Sequence, residues 1–341
     1  MTHAALTDDV RRFFDAVGEF FGNIAALQVL PLLIGATCFV VYLSFRARAF
    51  YHVLRAAYPA ERIEFRRIWG AYVAAYGFNN VIPARGGDVI KLFLSKSSIP
   101  HATYPAVGAA FVVEAGFDLS VGGLVLIYAF TQGVFPKPPD FADLNAFDLS
   151  FFAAHPRFTL FLITVLAIAT LVGFAVLSTH VKAFWARVRQ GLTILFDHRR
   201  YFREVWLVQL AGWGFRFTAF WMLLEAFNVG GSVQNVLLVL GVNAVASVVP
   251  FTPGGAGVQQ AFLVKVFGEA GVATSTVAAY SVGQQIVVAT TSLAVGFFAL
   301  VTIFRFRSFK EVLAAGREDR ATAAPAGPPA PASRPRGRRS P

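Results

Sequence analysis

The chain has 341 residues, of which 56% are hydrophobic and only 14% are Asp, Glu, Lys or Arg. Soluble domains usually carry about 25% charged residues, and a water-soluble fold of this length cannot bury so much apolar surface. This composition excludes a soluble enzyme, a nucleic-acid-binding domain and a disulfide scaffold. The net charge of +11 lies in a few blocks between apolar runs, which favours contact with an anionic membrane surface over nucleic acid.

In chain order, residues 1–26 come first, and their apolar side chains recur at helical spacing, which predicts an amphipathic helix lying on the membrane. Apolar runs of about 20 residues follow, the length that a helix needs to cross a bilayer. The predicted spans are Leu27–Phe45, Tyr104–Thr131, Phe158–Ser178, Val205–Phe227 and Thr276–Phe304. The sequence therefore predicts an all-α, polytopic membrane protein.

Two further apolar regions, Ile68–Ser98 and Ala226–Val264, are each broken by a proline followed by a pair of glycines. Proline removes a backbone donor and glycine permits a positive φ, so each break predicts a tight bend. About 16 residues precede each bend and would span about 24 Å as a helix, less than the roughly 30 Å of the hydrocarbon core. Both regions are therefore predicted to be re-entrant helical hairpins.

The hairpins divide the membrane domain, residues 27–304, into two repeat halves of about 27–131 and 204–304. Basic residues favour the cytoplasmic side, and they gather in the loops Arg46–Arg67 and Lys182–Arg203 and in a Pro/Ala-rich, disordered tail, residues 305–341. This distribution predicts a plasma (inner) membrane protein with its N-terminus outside and its C-terminus in the cytoplasm. The hairpins then open to opposite sides, as in an inverted repeat with a central binding site.

Residues at the first bend suit a phosphate headgroup, because free backbone N–H groups at a helix start bind anions and arginine offers a bidentate fork. Asn80, Arg85, Gly86, Gly87 and Lys91 are the candidate headgroup contacts. Asp88 would orient Arg85 or carry a proton. The alternative for Arg85 and Lys91 is that both side chains extend to the cytoplasmic surface.

Four intramembrane charges are candidates for charge pairing or proton coupling: Asp88, Glu114, Asp118 and Arg216. Glu114 and Asp118 are four residues apart and share one helix face. Carboxylates inside a membrane are costly and usually functional. Their expected partners are Arg85, Lys91 or Arg216, with a purely structural salt bridge as the alternative.

Neutral residues at the second bend are the remaining candidates for headgroup binding: Thr252, Gly254, Gly255 and Gln260. The alternative for the polar ones is hydrogen bonding between helices. None of the six histidines has the spacing of metal ligands, and no nucleophile elbow is present. The sequence therefore predicts no metal, no cofactor and no catalytic residue.

Three segments together resemble the lysylphosphatidylglycerol synthase transmembrane region family of flippase-like integral membrane proteins. Residues 80–91 read NVIPARGGDVIK and are similar to its signature Asn…Pro-x-Arg-x-Gly-Glu-x-x-Arg. Residues 250–260 read PFTPGGAGVQQ and are similar to its signature Pro-x-Thr-Pro-Gly-Gly-x-Gly-x-x-Glu. Glu114-x-x-x-Asp118 resembles its Glu-Arg-x-x-Asp segment. The three segments occur in the same order as in the family, and this agreement extends over residues 27–304.

The chain departs from the family pattern at five positions. Asp88 for Glu and Lys91 for Arg keep the charge, whereas Ala115 for Arg, Gln260 for Glu and Gln284 for Arg remove it. Only 37 residues follow Phe304, so we expect no aminoacyltransferase domain and no lipid aminoacylation by this chain.

The resemblance implies transport of a lipid headgroup, belonging to an anionic phospholipid, an aminoacylated phospholipid or a polyprenyl-phosphate-linked sugar. One alternative is an intramembrane enzyme that uses Asp88, Glu114 and Asp118 on a lipid phosphate. The other is a non-transporting partner of lipid-processing or cell-envelope enzymes. Lipid and membrane are the expected partners in each case, and nucleic acid is not.

Overall fold

The computed structural model describes residues 22, 26–80, 82, 86–131, 184–246, 257–269, 271–306, 311–312 and 314–316. This part of the chain is helical and contains no strand. Four of its helices are long and apolar enough to cross a membrane. The protein is therefore all-α and polytopic, as the composition predicted.

The described residues form nine helices of eight or more residues. They are α1 (Val29–Ala57), α2 (Phe65–Asn79), α3 (Gly87–Ser97), α4 (Tyr104–Thr131), α5 (184–191), α6 (His198–Ala226), α7 (Val233–Ala246), α8 (Val258–Glu269) and α9 (Thr274–Phe304). A π-helical turn lies at Phe202–Trp206 in α6, and another, Leu300–Phe304, ends α9. Most of the predicted segment 1–26, all of Phe158–Ser178 and most of the tail lie outside the described residues.

The first predicted span ends too early, because α1 continues for twelve residues beyond Phe45. Arginine has a high helix propensity, and two arginines of this stretch, Arg46 and Arg48, contact residues of other helices. Arg48 stacks over the rings of Tyr51 and Phe65 at 5.2 and 5.1 Å. Arg46 is buried inside the helix bundle, so the prediction that it lies in a cytoplasmic loop is wrong.

The two broken regions each fold into a pair of short helices that pack against each other, α2 with α3 and α7 with α8. These helices have 15, 11, 14 and 12 residues. At 1.5 Å per residue, the longest spans about 22 Å, less than the roughly 30 Å of a hydrocarbon core. Their lengths agree with the predicted hairpins, although the bend residues 83–85 and 250–256 lie outside the described residues.

The contacts between the helices form a symmetric pattern. The same pairs are in contact when α1–α4 are exchanged, in order, with α6–α9. Helix α1 packs against α6, α2 packs against α9, and the equivalent pair α7 and α4 is also in contact. The halves run in opposite directions, because the start of α1 meets the end of α6. There, the Gln28 amide donates to Asn228 Oδ1 at 2.8 Å, and the Gln28 backbone N–H donates to the Ala226 carbonyl at 3.0 Å. Antiparallel, exchangeable halves are what an inverted repeat requires.

The segments rich in arginine and lysine lie together at the opposite end of the bundle. The Gln190 amide donates to the Ala57 carbonyl at 3.0 Å, which joins α5 to the end of α1. The Thr103 backbone N–H donates to the Tyr58 hydroxyl at 3.1 Å, which joins the start of α4 to the same place. The end of α9 also lies there, beside the start of α2. One end of the bundle is thus strongly basic.

Small residues let the first hairpin approach its neighbours closely. A Cβ atom added at Gly87 would lie 2.1 Å from the Ala75 carbonyl oxygen, so α3 crosses α2 in backbone contact. A Cβ added at Gly77 would lie 2.7 Å from the Ser292 carbonyl oxygen, and one at Gly296 would lie 2.9 Å from that of Val73. These contacts resemble the small-residue interfaces of membrane helices and fix the hairpin against α9.

Candidate functional site

Five polar side chains from four helices meet in the interior and are called here the central charge cluster. They are Arg46 of α1, Tyr72 of α2, Lys91 of α3, and Glu114 and Asp118 of α4. The cluster therefore ties the first hairpin to the spans on either side of it. Glu114 is ten residues into α4, which places it about 15 Å from the start of that helix, within the depth of the hydrocarbon core.

Glu114 is the hub of the central charge cluster, because both of its carboxylate oxygens are paired. Lys91 Nζ lies 2.6 Å from Glu114 Oε2. On the other side, Arg46 Nη2 lies 2.8 Å from Oε1, and the Tyr72 hydroxyl also donates to Oε1. With three donors on two oxygens, the carboxylate is stabilised in its ionised form.

Arg46 connects the two carboxylates. Its guanidinium makes a bidentate contact with Asp118, in which Nη2 donates to Oδ2 at 2.8 Å and Nη1 donates to Oδ1. Its Nε donates to the Tyr72 hydroxyl at 3.0 Å. Arginine suits this position because its planar fork matches a carboxylate and has a donor left for a third partner.

Lys91 lies in a cage of aromatic rings. Its Nζ is 4.2 Å from the ring centroid of Phe50 and 4.3 Å from those of Tyr72 and Phe111. An ammonium over aromatic faces in a desolvated site gains about 2 kcal/mol from the cation–π interaction. Lys91 is only 7% exposed, so the alternative that it extends to the cytoplasmic surface is wrong.

The central charge cluster is neutral overall, with two cations and two carboxylates, and it is sealed on most sides. The residues Arg46, Lys91 and Glu114 are 7%, 7% and 4% exposed. The Asp118 side chain, by contrast, is 46% exposed. Asp118 is therefore the open edge through which a polar group can approach Arg46.

Arg216 of α6 lies ten residues before the end of its helix, about 15 Å from that end and near the middle of a bilayer that the helix spans. Its guanidinium carbon is 5.6 Å from the ring centroids of Tyr42 and Trp213 and 5.9 Å from that of Phe220. Within the described residues it forms no ion pair, so the predicted pairing with Glu114 or Asp118 is absent there. Tyr42 is one helical turn from Arg46, which places Arg216 beside the central charge cluster.

The remaining candidates of the first hairpin serve mainly to shape it. The Asn80 amide donates to the Tyr76 carbonyl at 3.0 Å and ends α2. Gly86 and Gly87 begin α3. Asp88 accepts from the Asn79 amide at 3.1 Å. Arg85 lies outside the described residues, so its predicted contact with a headgroup or with Asp88 stays a prediction.

At the second hairpin, Thr252, Gly254 and Gly255 also lie outside the described residues. Gln260 caps the start of α8, where its Oε1 accepts from the Gly257 backbone N–H at 2.6 Å. Its Nε2 donates to Gln285 Oε1 at 2.6 Å, which is the interhelical hydrogen bonding that the sequence offered as the alternative. This side of the molecule therefore uses neutral amides where the first hairpin uses charges.

Sequence reasoning missed Arg46 as a member of the site. The apolar run stops at Phe45, and the next residues supply several arginines, which is typical of a cytoplasmic loop. The signal that identifies a continuing helix is the spacing of Leu43, Phe50 and Leu54, which share one buried face with Arg46. The resemblance leads us to expect an arginine at Ala115, and the guanidinium beside Glu114 comes instead from Arg46.

The sequence matches a protein-family model over most of its length. The model of the lysylphosphatidylglycerol synthase transmembrane region matches residues 14–296, which include every described residue of the central charge cluster and both hairpins. No curated protein and no solved structure matches the chain. Since the match covers most of the sequence, the chain belongs to the family of the lysylphosphatidylglycerol synthase transmembrane region.

Proposed function

We propose that this protein moves the phosphate-bearing headgroup of a lipid across the plasma membrane. The observation that carries the proposal is the central charge cluster, a neutral set of paired charges buried among spans and tied to a short hairpin. Buried intramembrane charges are costly, and they usually lie on the pathway of a polar substrate. The family name adds a lipid context, since it refers to the membrane region of a synthase for an aminoacylated lipid.

The proposed mechanism is an exchange of anions. A headgroup phosphate that enters at the exposed edge formed by Asp118 competes with the carboxylates for Arg46 and Lys91. Arginine and lysine both bind phosphate well, so the exchange replaces the ion pairs between helices with ion pairs to the lipid. The pairing of Lys91 with Glu114 is then released, which frees the first hairpin to move against α4.

Arg216 completes the proposed pathway on the outer side of the central charge cluster. Its guanidinium lies near the midplane against aromatic rings, one helical turn of α1 away from Arg46. A phosphate passing from Arg46 to Arg216 stays beside a cation across the most apolar part of the bilayer. In an inverted repeat, rocking of one half against the other would alternate access to such a path.

The enzyme alternative is less compatible with this geometry. A catalytic acid or base needs a carboxyl group that reaches the substrate and exchanges protons. Glu114 has both oxygens occupied by Lys91, Arg46 and Tyr72, and Asp118 holds Arg46 through both of its oxygens. We therefore propose that the protein is not an enzyme and that it is a carrier.

Reconstitution in vesicles tests the proposal. Fluorescently labelled phosphatidylglycerol, lysyl-phosphatidylglycerol and a polyprenyl phosphate are incorporated separately, and dithionite quenching from outside measures their movement between leaflets. Movement of a phosphate lipid is expected for the wild type, with at least a tenfold loss in Arg216→Gln and recovery in Arg216→Lys. Arg199→Gln is the control, because Arg199 is exposed at the basic end of the bundle.

Each other outcome of this assay contradicts transport in a distinct way. A labelled lipid whose mass changes during incubation indicates the enzyme alternative. Lipids that neither move nor change, in vesicles with correctly folded protein, indicate a non-transporting partner of lipid-processing enzymes. Equal movement in the wild type and in Arg216→Gln contradicts the assigned pathway.

A further inference from the structure

A cationic site, separate from the neutral central charge cluster, lies at the basic end of the bundle. A pocket of about 540 Å³ opens there between the start of α2, the end of α3 and the end of α9. Its volume is within the range of about 300–1,000 Å³ that is usual for small-molecule sites. We call it the rim pocket.

The walls of the rim pocket carry three arginines, Arg66, Arg67 and Arg305, against one carboxylate, Glu64. Glu64 lies 3.9 Å from Arg67 Nε and offsets part of that charge. Arg66 and Arg305 form no ion pair with any residue that the structure describes, and both are exposed. The pocket therefore has a net charge of about +2 that its own residues leave uncompensated.

Four apolar side chains, called here the apolar floor, and two serine hydroxyls also line the rim pocket. Phe93, Ile303, Phe304 and Phe306 line it, and Ser97 and Ser98 lie at the end of α3 beside them. Both hydroxyls donate to the Leu94 carbonyl, at 3.1 and 2.6 Å. With their protons donated to that carbonyl, the hydroxyls have no donor left for an anion. The guanidinium groups therefore form the region for an anion, and the apolar side chains form the region for a hydrocarbon chain.

The placement of the rim pocket matches the interface between the membrane and the cytoplasm. It lies where α9 ends and where α2 begins, at the end of the bundle that gathers the arginines. We infer that the rim pocket binds the phosphate group of an anionic lipid in the cytoplasmic leaflet, with Arg66 and Arg305 on the phosphate and Phe93 against the start of the acyl chain. This inference does not depend on transport by the central charge cluster.

Calorimetric titration of the full chain in dodecyl maltoside tests the inference, with dihexanoyl phosphatidylglycerol as the probe and dihexanoyl phosphatidylcholine as the zwitterionic comparison. The anionic lipid is expected to bind more tightly. The double variant Arg66→Gln/Arg305→Gln is expected to bind it about tenfold more weakly, because two charge-assisted contacts are lost. Arg62→Gln, an exposed arginine of the same end outside the pocket, should keep wild-type affinity.

A steric pair of variants distinguishes a pocket from general surface attraction. Ser97→Trp fills the opening without changing the charge and should also weaken binding about tenfold, whereas Ser97→Ala should not.

Inorganic phosphate added as a competitor distinguishes a lipid from free phosphate as the source of the anion. A lipid that also contacts the apolar floor should be displaced only by a high concentration of phosphate. If inorganic phosphate displaces the lipid at a concentration equal to that of the lipid, the same arginines form a site for free phosphate, and the inference of a lipid site is wrong. If Ser97→Trp binds normally, or Arg62→Gln weakens binding as much as the double variant, the inference is wrong.

Discussion

Replacing Glu114 by leucine removes the carboxylate that pairs with Lys91 Nζ at 2.6 Å and leaves a buried ammonium without that partner. Removing one member of a buried ion pair costs about 3–5 kcal/mol. The aromatic cage around Lys91 keeps about 2 kcal/mol of cation–π attraction, which moves the expected loss toward the lower end of that range. Lys91→Met should cost less, about 1.5–3 kcal/mol, because Glu114 keeps Arg46 and Tyr72 as donors.

The double variant Glu114→Leu/Lys91→Met removes both charges of this pair and should be more stable than the sum of the single losses predicts. We expect a coupling of about 2 kcal/mol, within the range for residues in direct contact. The free energy of unfolding is measured in mixed micelles of dodecyl maltoside and dodecyl sulfate, by circular dichroism. Lys265→Met is the control, because Lys265 is exposed on α8, and it should change the free energy by less than about 0.5 kcal/mol. Additive losses in the double variant would show that Lys91 and Glu114 do not depend on each other.

Two further predictions concern the packing of the hairpin and the orientation of the chain. Gly87→Ala should lower the free energy of unfolding by about 1–3 kcal/mol, because the new methyl group meets a carbonyl oxygen of α2 at 2.1 Å. Gly123→Ala, where no atom lies within 4 Å of the added carbon, should instead be neutral or stabilising, and equal losses at both sites would contradict the close crossing. In a Cys38→Ala background, Arg62→Cys should react with a membrane-impermeant maleimide only from the cytoplasmic side and Gln234→Cys only from outside. Reaction of both from one side would contradict the proposed topology.

Much of the fold was predictable from the sequence, because hydropathy and helix breakers act locally. Apolar runs identified α4, α6 and α9, and the proline–glycine breaks identified the two pairs of short helices. The end of α1 was not predictable in the same way. Its last turns carry arginines that a membrane helix accepts only when neighbouring helices supply partners, such as Asp118 for Arg46.

The candidate site was predictable in part, for a related reason. Helical spacing placed Glu114 and Asp118 on one face, and Lys91 was one of their expected partners. Arg46 and the ring of Phe50 come from a third helix, and no local pattern shows which helix packs there. Arg216 was recognised as an unusual charge inside a span, but its aromatic surroundings, such as Tyr42 on α1, depend on the contact between the two halves.

Lipid movement by the Glu114→Leu/Lys91→Met variant tests the central claim most directly. This variant keeps the apolar bulk of both side chains but has lost the ion pair that links the first hairpin to α4. Reconstituted beside the wild type and Lys265→Met, and shown by circular dichroism to be folded, it should move the phosphate lipid at least tenfold more slowly than both. If it moves the lipid at the wild-type rate, the central charge cluster does not carry the headgroup, and the proposed mechanism is wrong.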